Sequence, residues 1–511
     1  MRRHRFAALS VVAAALLAAG ALSAASAADR TRASATAAAG SITLAIGSEP
    51  TTLDPQLKDD GGERAVTRNI YETLMARTRT GKLVPGLAAA APKQIRPKVW
   101  RVVLRTGITF TNGEPLNADA VVYSIKRIIN KKFNSEQVSF VGTISGAKKV
   151  NARTVDITTT APDPILPSRI YWLTIVPPKA AQAAGFAEKP VGTGPYTFVE
   201  WRKGDHITLK ANPRYWGTPK PRIQTVTYKF VPEGGTRLAG LLAGDFDLIT
   251  NLLPEDVKRA PKAVSAVGLE HPVVILNAKQ GSQVTSDPRV RQALNLAVDK
   301  NGIAKALFGG FARVDDAQFL SPSWTGYNPT LRPFAYDVNR AKQLIDAAGA
   351  SGKTINFVGE SGRWLKDKET IEAVASFWRA IGLKVNVQIF DFGEYLNRLF
   401  DKANRPDAIY LTSSNELLDA DRSLSAYYAP SGIGASNDDQ ALEKWITQAR
   451  SEANTKKRDA LYRQATKRAR DQAYFTFLVN IADLYGTSKR LVWQPRQDSL
   501  LFLNTMALGG A

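Results

Sequence analysis

The sequence predicts a mixed α/β protein built in at least two lobes. Short β-branched runs alternate with amphipathic helical segments along the whole chain instead of segregating into separate regions. At 511 residues, 44% hydrophobic and 22% charged, the chain exceeds one domain of about 100–200 residues, so two to four full cores are expected. There is no internal repeat, and no low-complexity tract after residue 40.

Residues 1–27 read as an export signal. Arg2, Arg3 and Arg5 precede an almost wholly apolar run over 6–22, and Ala25, Ser26 and Ala27 offer a cleavage site before Ala28. The run is Ala-rich, shorter than the ~20 apolar residues of a spanning helix, and no basic stop follows it. No cysteine follows to carry a lipid, so the mature chain is expected to be soluble outside the cytoplasm, periplasmic or extracellular, without a lipid anchor. Residues 28–40 read as a flexible leader.

The elements then follow in order. Residues 42–46 form a strand, and Glu49-Pro50 and Asp54-Pro55 punctuate the loop behind it. Residues 68–75 read as a helix, 100–105 as a strand and 111–113 as a turn. Asn117 caps a helix over 118–129, whose Val121, Val122, Ile125 and Ile129 share one face. Strands are expected at 154–158, 197–201, 207–210 and 226–230. Between them, Gly192-Thr193-Gly194-Pro195 reads as a turn with both glycines at positive φ. Pro195 lacks an N–H and no GK[ST] follows, which separates this turn from a phosphate loop. Past residue 270, strands are expected at 273–276, 384–389 and 408–411. Helices are expected at 289–298, 339–348, 368–381, 441–453 and 456–474.

Composition removes several function classes. There is no cysteine and only three histidines, His4, His206 and His271, so thiol, iron–sulfur and most zinc chemistry is excluded. With 68 basic and 46 acidic residues the formal charge is +22, or about +19 without the signal. That raises nucleic acid as a partner, but export argues against it. The densest basic stretch, 456–470, carries Leu461, Ala465 and Ala469 at helical spacing, a packed stripe beneath a solvated basic face. Asp54, Asp59 and Asp60 make a carboxylate group without a histidine, and no G-x-S-x-G or S-x-x-K box occurs. A secreted hydrolase using Asp/Glu pairs therefore stays as the alternative class. Aromatic residues in loops, among them Trp172, Trp364, Tyr395 and Tyr427, suit a cleft for an organic ligand.

Ordered blocks across about 42–490 resemble the extracellular solute-binding proteins of family 5, the peptide/nickel class serving ABC importers. The blocks include Glu49-Pro-Thr-Thr-Leu-Asp54-Pro, Trp100-Arg-Val-Val-Leu-Arg-Thr-Gly-Ile-Thr-Phe110, Asn112-Gly-Glu-Pro-Leu-Asn-Ala-Asp-Ala-Val121, Asn212-Pro-Arg-Tyr-Trp-Gly217 and Asp287-Pro-Arg-Val-Arg-Gln-Ala-Leu294. The resemblance implies a two-lobed periplasmic-binding-protein-like fold of type II whose hinge is crossed by two strands. Lobe I would comprise 41–84, 190–270 and 475–511, with 85–189 an inserted subdomain, and lobe II would comprise 271–474. It implies a non-catalytic monomer without cofactor or metal. Such a protein would close on a short peptide and deliver it to an ABC permease, with no nucleic-acid partner. Carried over by position, Asp59, Gly61, Asn251, Phe392 and Arg398 fall at ligand contacts, and Glu416 at the ammonium anchor. Ser413 stands where the family often has tryptophan. That leaves opine, sugar and other amine-bearing solutes, and nickel, beside peptide.

Overall fold

A computed structural model describes residues 40–58, 60–279 and 284–509 of the chain; the export signal, nearly all of the leader and Asp59 lie outside these. The fold is mixed α/β and two-lobed, organised by three principal sheets. The first runs Lys262–Val267, Val479–Thr487, Leu248–Ile249, Ser41–Ile46, Thr225–Phe230, His206–Ala211, Tyr196–Arg202. Ser41–Ile46 is parallel to both its neighbours, and the remaining pairs are antiparallel. The second runs Lys384–Phe390, Thr354–Glu360, Ala408–Ser413, His271–Leu276, Phe475–Phe477. A four-stranded antiparallel sheet, Lys93–Arg96, Val99–Val103, Thr154–Thr159 and Ile144–Asn151, lies within residues 85–189.

The second sheet is covered on both faces at its centre, where His271–Leu276 and Ala408–Ser413 are buried along their whole length, whereas the edge strand Lys384–Phe390 alternates and is partly exposed. Val274, Leu276, Phe357 and Tyr410 pack on one face with Leu294, Ile345 and Trp378. Val273, Ile275, Val358 and Leu411 pack on the other with Tyr395, Leu442 and Ala465. His271–Leu276 is accordingly buried at every residue.

The chain passes between the two large sheets twice, from Val267 to His271 and from Phe477 to Val479. The crossings are bound to each other. Ile481 N donates to Glu270 O at 3.0 Å, and Gly268 N donates to Ile481 O at 3.1 Å. The Asn480 amide donates to the carbonyls of both Gly268 and Glu270, each at 3.0 Å. Ala312–Val314 pairs with the start of the long strand and braces it from the other side. Phe475–Phe477, assigned on sequence grounds to the first lobe, pairs with His271–Leu276 in the second sheet.

Three local expectations are corrected. The helix placed at 68–75 is Gly61–Ile70, because the Asp60 carboxylate accepts from Gly62 N at 3.0 Å and caps it, while Met75–Arg77 is extended. Gly192 and Gly194 are absent from the residues at positive φ. They are needed for close approach instead: a Cβ at either would lie 2.0 and 2.6 Å from Ile70 O. In the basic helix Thr455–Asp471, Arg458 is buried and paired with Asp419 rather than solvated.

Replacing Asn480 with Ala removes a side chain that ties the two crossings, taking the donor from the Gly268 carbonyl and leaving the Glu270 carbonyl only Ile481 N. Urea denaturation should show a loss of about 1–3 kcal/mol; an unchanged midpoint would refute this role.

Candidate functional site

Between the lobes lies a cavity of about 650 Å³, within the ordinary range for a small organic ligand. The first lobe supplies Gly47, Ser48 and the first turn of Gly61–Ile70, the second supplies Gly362, Arg363, Phe392 and Ser414, and the crossing strands supply Glu270 and Asp483. A side chamber of about 590 Å³ shares Arg363, Phe392 and Ser414 with it and adds Trp364, Tyr395 and Tyr427.

Six carboxyl residues and three arginines line the main cavity, but most are already engaged. Asp60 caps the helix and Asp498 is held by Arg496 at 2.5 Å. Arg237 gives its donors to four backbone carbonyls, those of Val231, Pro232, Thr250 and Asn251. Glu360 is fully buried, and burial together with Asp367 pushes it up to about 8. Glu416 meets Arg422 at 2.6 Å and the Ser414 hydroxyl at 2.9 Å. Burial opposes its ionisation, yet Arg422 and Arg64 outweigh burial and hold its pKa below the usual range.

Glu270 and Asp483 sit on the crossing strands, and among the described residues neither is in an ion pair. Burial and the facing Asp483 push Glu270 up to about 7, with Arg363 opposing. Burial pushes Asp483 up to about 6 although Ser499 donates to it at 2.6 Å. The Arg363 guanidinium forms no ion pair and lies 4.2 Å from the Phe392 ring centroid. The cavity thus presents an under-neutralised acidic floor beside the Arg363 guanidinium, with Arg64 also on its wall.

Of the residues singled out from sequence, Gly61, Asn251, Phe392 and Glu416 lie on the cavity wall. Arg398 does not line the cavity: its guanidinium pairs with Glu394 one turn away and lies over Phe390. Asp59 lies outside the described residues. Glu270, Arg363 and Asp483 were missed, because an isolated charge in a connecting segment carries no spacing signal. Asp54 is not available for hydrolysis, since its carboxylate is bound by Arg127.

Beside the side chamber the lobes touch through a buried ion network. Arg169 meets Asp163 at 2.6 Å and Asp421, from the opposite lobe, at 2.8 Å. One Ser-His-Asp arrangement exists: His271 contacts Asp315 at 2.9 Å and Ser321 at 3.2 Å. Ser321 is only 1% exposed and lines neither cavity. Among the described residues no group of three or more His, Cys, Asp or Glu is placed to hold a metal ion, and no helix is long and apolar enough to cross a membrane.

A two-lobed clamp with a charged cavity on its hinge strands defines a binding protein of the periplasmic type. The sequence profile of bacterial extracellular solute-binding proteins, family 5, matches residues 82–435, and the chain belongs to that family. It is 29% identical over 467 residues to the dipeptide-binding protein of Escherichia coli K12, covering 83% of this chain and 86% of the relative. Two solved structures share the fold. DppA of Helicobacter pylori, in complex with the peptide STSA, superimposes with a TM-score of 0.75 at 23% identity, covering 92% of this chain and 98% of that one. NikA of Brucella suis, in complex with Fe(III)-EDTA, gives 0.82 at 22% identity over 92% and 100%.

Because its folded pKa is raised, Glu270 favours the folded state when protonated, and that contribution is lost as pH rises through about 7. Glu72 and Glu360 act in the same direction, so the isolating measurement is the difference between wild type and Glu270→Gln. Between about pH 5 and about pH 8 the wild type should lose more Tm than the variant. Parallel profiles would reject the assignment.

Proposed function

We propose that the protein is the exported substrate-binding component of an ABC importer, capturing a short peptide between its lobes and handing it to the permease. The observation that carries this is the polarity of the cavity. The carboxylates of Glu270 and Asp483 suit an ammonium group, and the Arg363 guanidinium suits a carboxylate. A free peptide carries both charges. Gly61 leaves backbone room for the ligand, Asn251 supplies an amide, and Phe392 forms the apolar wall leading to the side chamber, where a bulky side chain fits. Glu416 helps to set the negative potential without being the main anchor, since Arg422 already neutralises it.

Closure brings both lobes onto the ligand, and binding contacts made only in that state shift the population toward it. The protein acts without catalysis, as a monomer, with no nucleic-acid partner, after loss of residues 1–27. The inaccessible Ser321 and the occupied Asp54 support the non-catalytic reading. An opine, or another solute with an amine and a carboxylate, fits the same polarity. Native mass spectrometry of the purified protein would distinguish it by the mass of the co-purifying molecule.

Calorimetry with alanyl-alanine tests the assignment of ends. Glu270→Gln and Arg363→Gln should each cost about 1.5–3 kcal/mol of binding, the scale of a hydrogen bond to a charged group, and Glu416→Gln less. Acetylating the dipeptide amine should abolish the difference between wild type and Glu270→Gln. Equal affinity for the acetylated and free forms would sink the ammonium site, and saturable binding with release of cleaved product would sink the non-catalytic reading.

A further inference from the structure

A second cavity, of about 630 Å³, lies behind one wall of the cleft. It is framed by the helices Gly61–Ile70 and Leu166–Trp172, the strands Met75–Arg77 and Leu83–Pro85, the loop 215–219 and the C-terminal segment 496–505. Arg68 and Tyr171 face the second cavity, while Arg64 and Trp172 face the cleft.

Its chemistry is opposite to that of the cleft. Four arginines line it, Arg68, Arg77, Arg105 and Arg496, against one carboxyl residue, Glu72. Glu72 is fully committed: it accepts from Trp216 Nε1 at 2.7 Å, Thr193 Oγ1 at 2.8 Å and Tyr215 OH at 3.0 Å. Burial pushes it up to about 7 despite those donors and the Arg105 charge. Arg496 is matched by Asp498. Among the described residues neither Arg77 nor Arg105 is within ion-pair distance of a carboxylate, though each feels one at longer range, Arg105 that of Glu72 and Arg77 those of Asp498 and Asp419. Arg77 gives its terminal nitrogens to the carbonyls of Gly81 and Leu417 and to the Ser168 hydroxyl, and its buried Nε has no acceptor. Arg105 gives Nε to Gly86 O at 2.7 Å, its terminal amino groups have no acceptor among the described residues, and its guanidinium lies over the Trp216 ring, 5.3 Å from the centroid.

The one carboxyl on this wall, Glu72, is pushed up to about 7 and is taken by three neutral donors, so the Arg105 charge is left able to take an anion. The Trp216 ring and the nearby Phe502 supply flat apolar surface beside that charge. We propose that this cavity is a second binding site, for a small planar organic carboxylate, with its carboxylate on the terminal amino groups of Arg105, the Arg77 charge supporting it, and its ring against Trp216. The site has a route to the cleft, because Arg77 also holds the carbonyl of Leu417, the residue after Glu416 in the opposite lobe.

The test follows the Trp216 indole N–H by heteronuclear NMR, with its signal identified by its loss in Trp216→Phe. Benzoate is the probe and benzamide its neutral isostere. A saturable shift of that signal is expected with benzoate and not with benzamide, and Arg105→Gln should weaken benzoate by about tenfold or more while leaving alanyl-alanine affinity unchanged. No saturable shift with benzoate into the millimolar range would overturn the proposal, and so would an equal response to benzamide. Should Arg105→Gln fail to fold, the benzoate–benzamide comparison on the wild type still decides. Because the readout does not involve peptide, its failure is separate from failure of the cleft assignment.

Discussion

One side-chain amide holds the hinge together. Asn480 donates to Gly268 O and Glu270 O, and with the adjoining backbone hydrogen bonds it makes two crossing strands into a single ribbon. Two independent linkers would allow the lobes to twist apart in many directions. A bonded pair restricts them to bending about a common axis, which is what a clamp requires. The same ribbon carries Glu270 and Asp483 into the cavity floor. In the proposed reading hinge and recognition share these residues, so a cation set against the carboxylates would act directly on the strands that join the lobes.

Most of the architecture was legible in the sequence, because its strands and helices follow hydrophobic period. The cap at Asn117 and the helix Ala118–Ile128 agree with the reading almost to the residue. The helix Gly61–Ile70 was misplaced because Gly61 and Gly62 look like turn residues, and only the Asp60 cap shows otherwise. The long strand Val479–Thr487 escaped notice because it serves two environments, a hinge at its start and a sheet beyond, so no single alternation runs through it. The site was half legible. Position in a family pattern brought Gly61, Asn251, Phe392 and Glu416 to the cavity. It could not show that Arg422 neutralises Glu416, or that Arg398 is drawn away by Glu394, because both outcomes depend on neighbours fixed by packing.

The distribution of partners separates structural charge from available charge. Arg169, Arg237, Asp54 and Asp419 are all bound by matching groups and serve the fold. His271, Asp315 and Ser321 reproduce a catalytic spacing, yet they are sealed beneath Trp324 and join the crossing strand to a neighbouring loop. The geometry of a triad is thus insufficient for chemistry without access. What remains accessible in the cleft, Glu270, Asp483 and Arg363, is the charge on which the proposed binding of a dipolar solute rests.

The acidic cavity floor is set within a chain of net charge +22, and the two have opposite effects on an approaching cation. At distances beyond the Debye length of about 8 Å in physiological salt the bulk field is screened, whereas at low ionic strength it reaches outward and repels. Cationic solutes should then be captured faster as salt is added, the reverse of ordinary electrostatic steering. Once inside, such a solute meets local carboxylates little affected by salt, so ionic strength would govern its rate of arrival far more than its residence time.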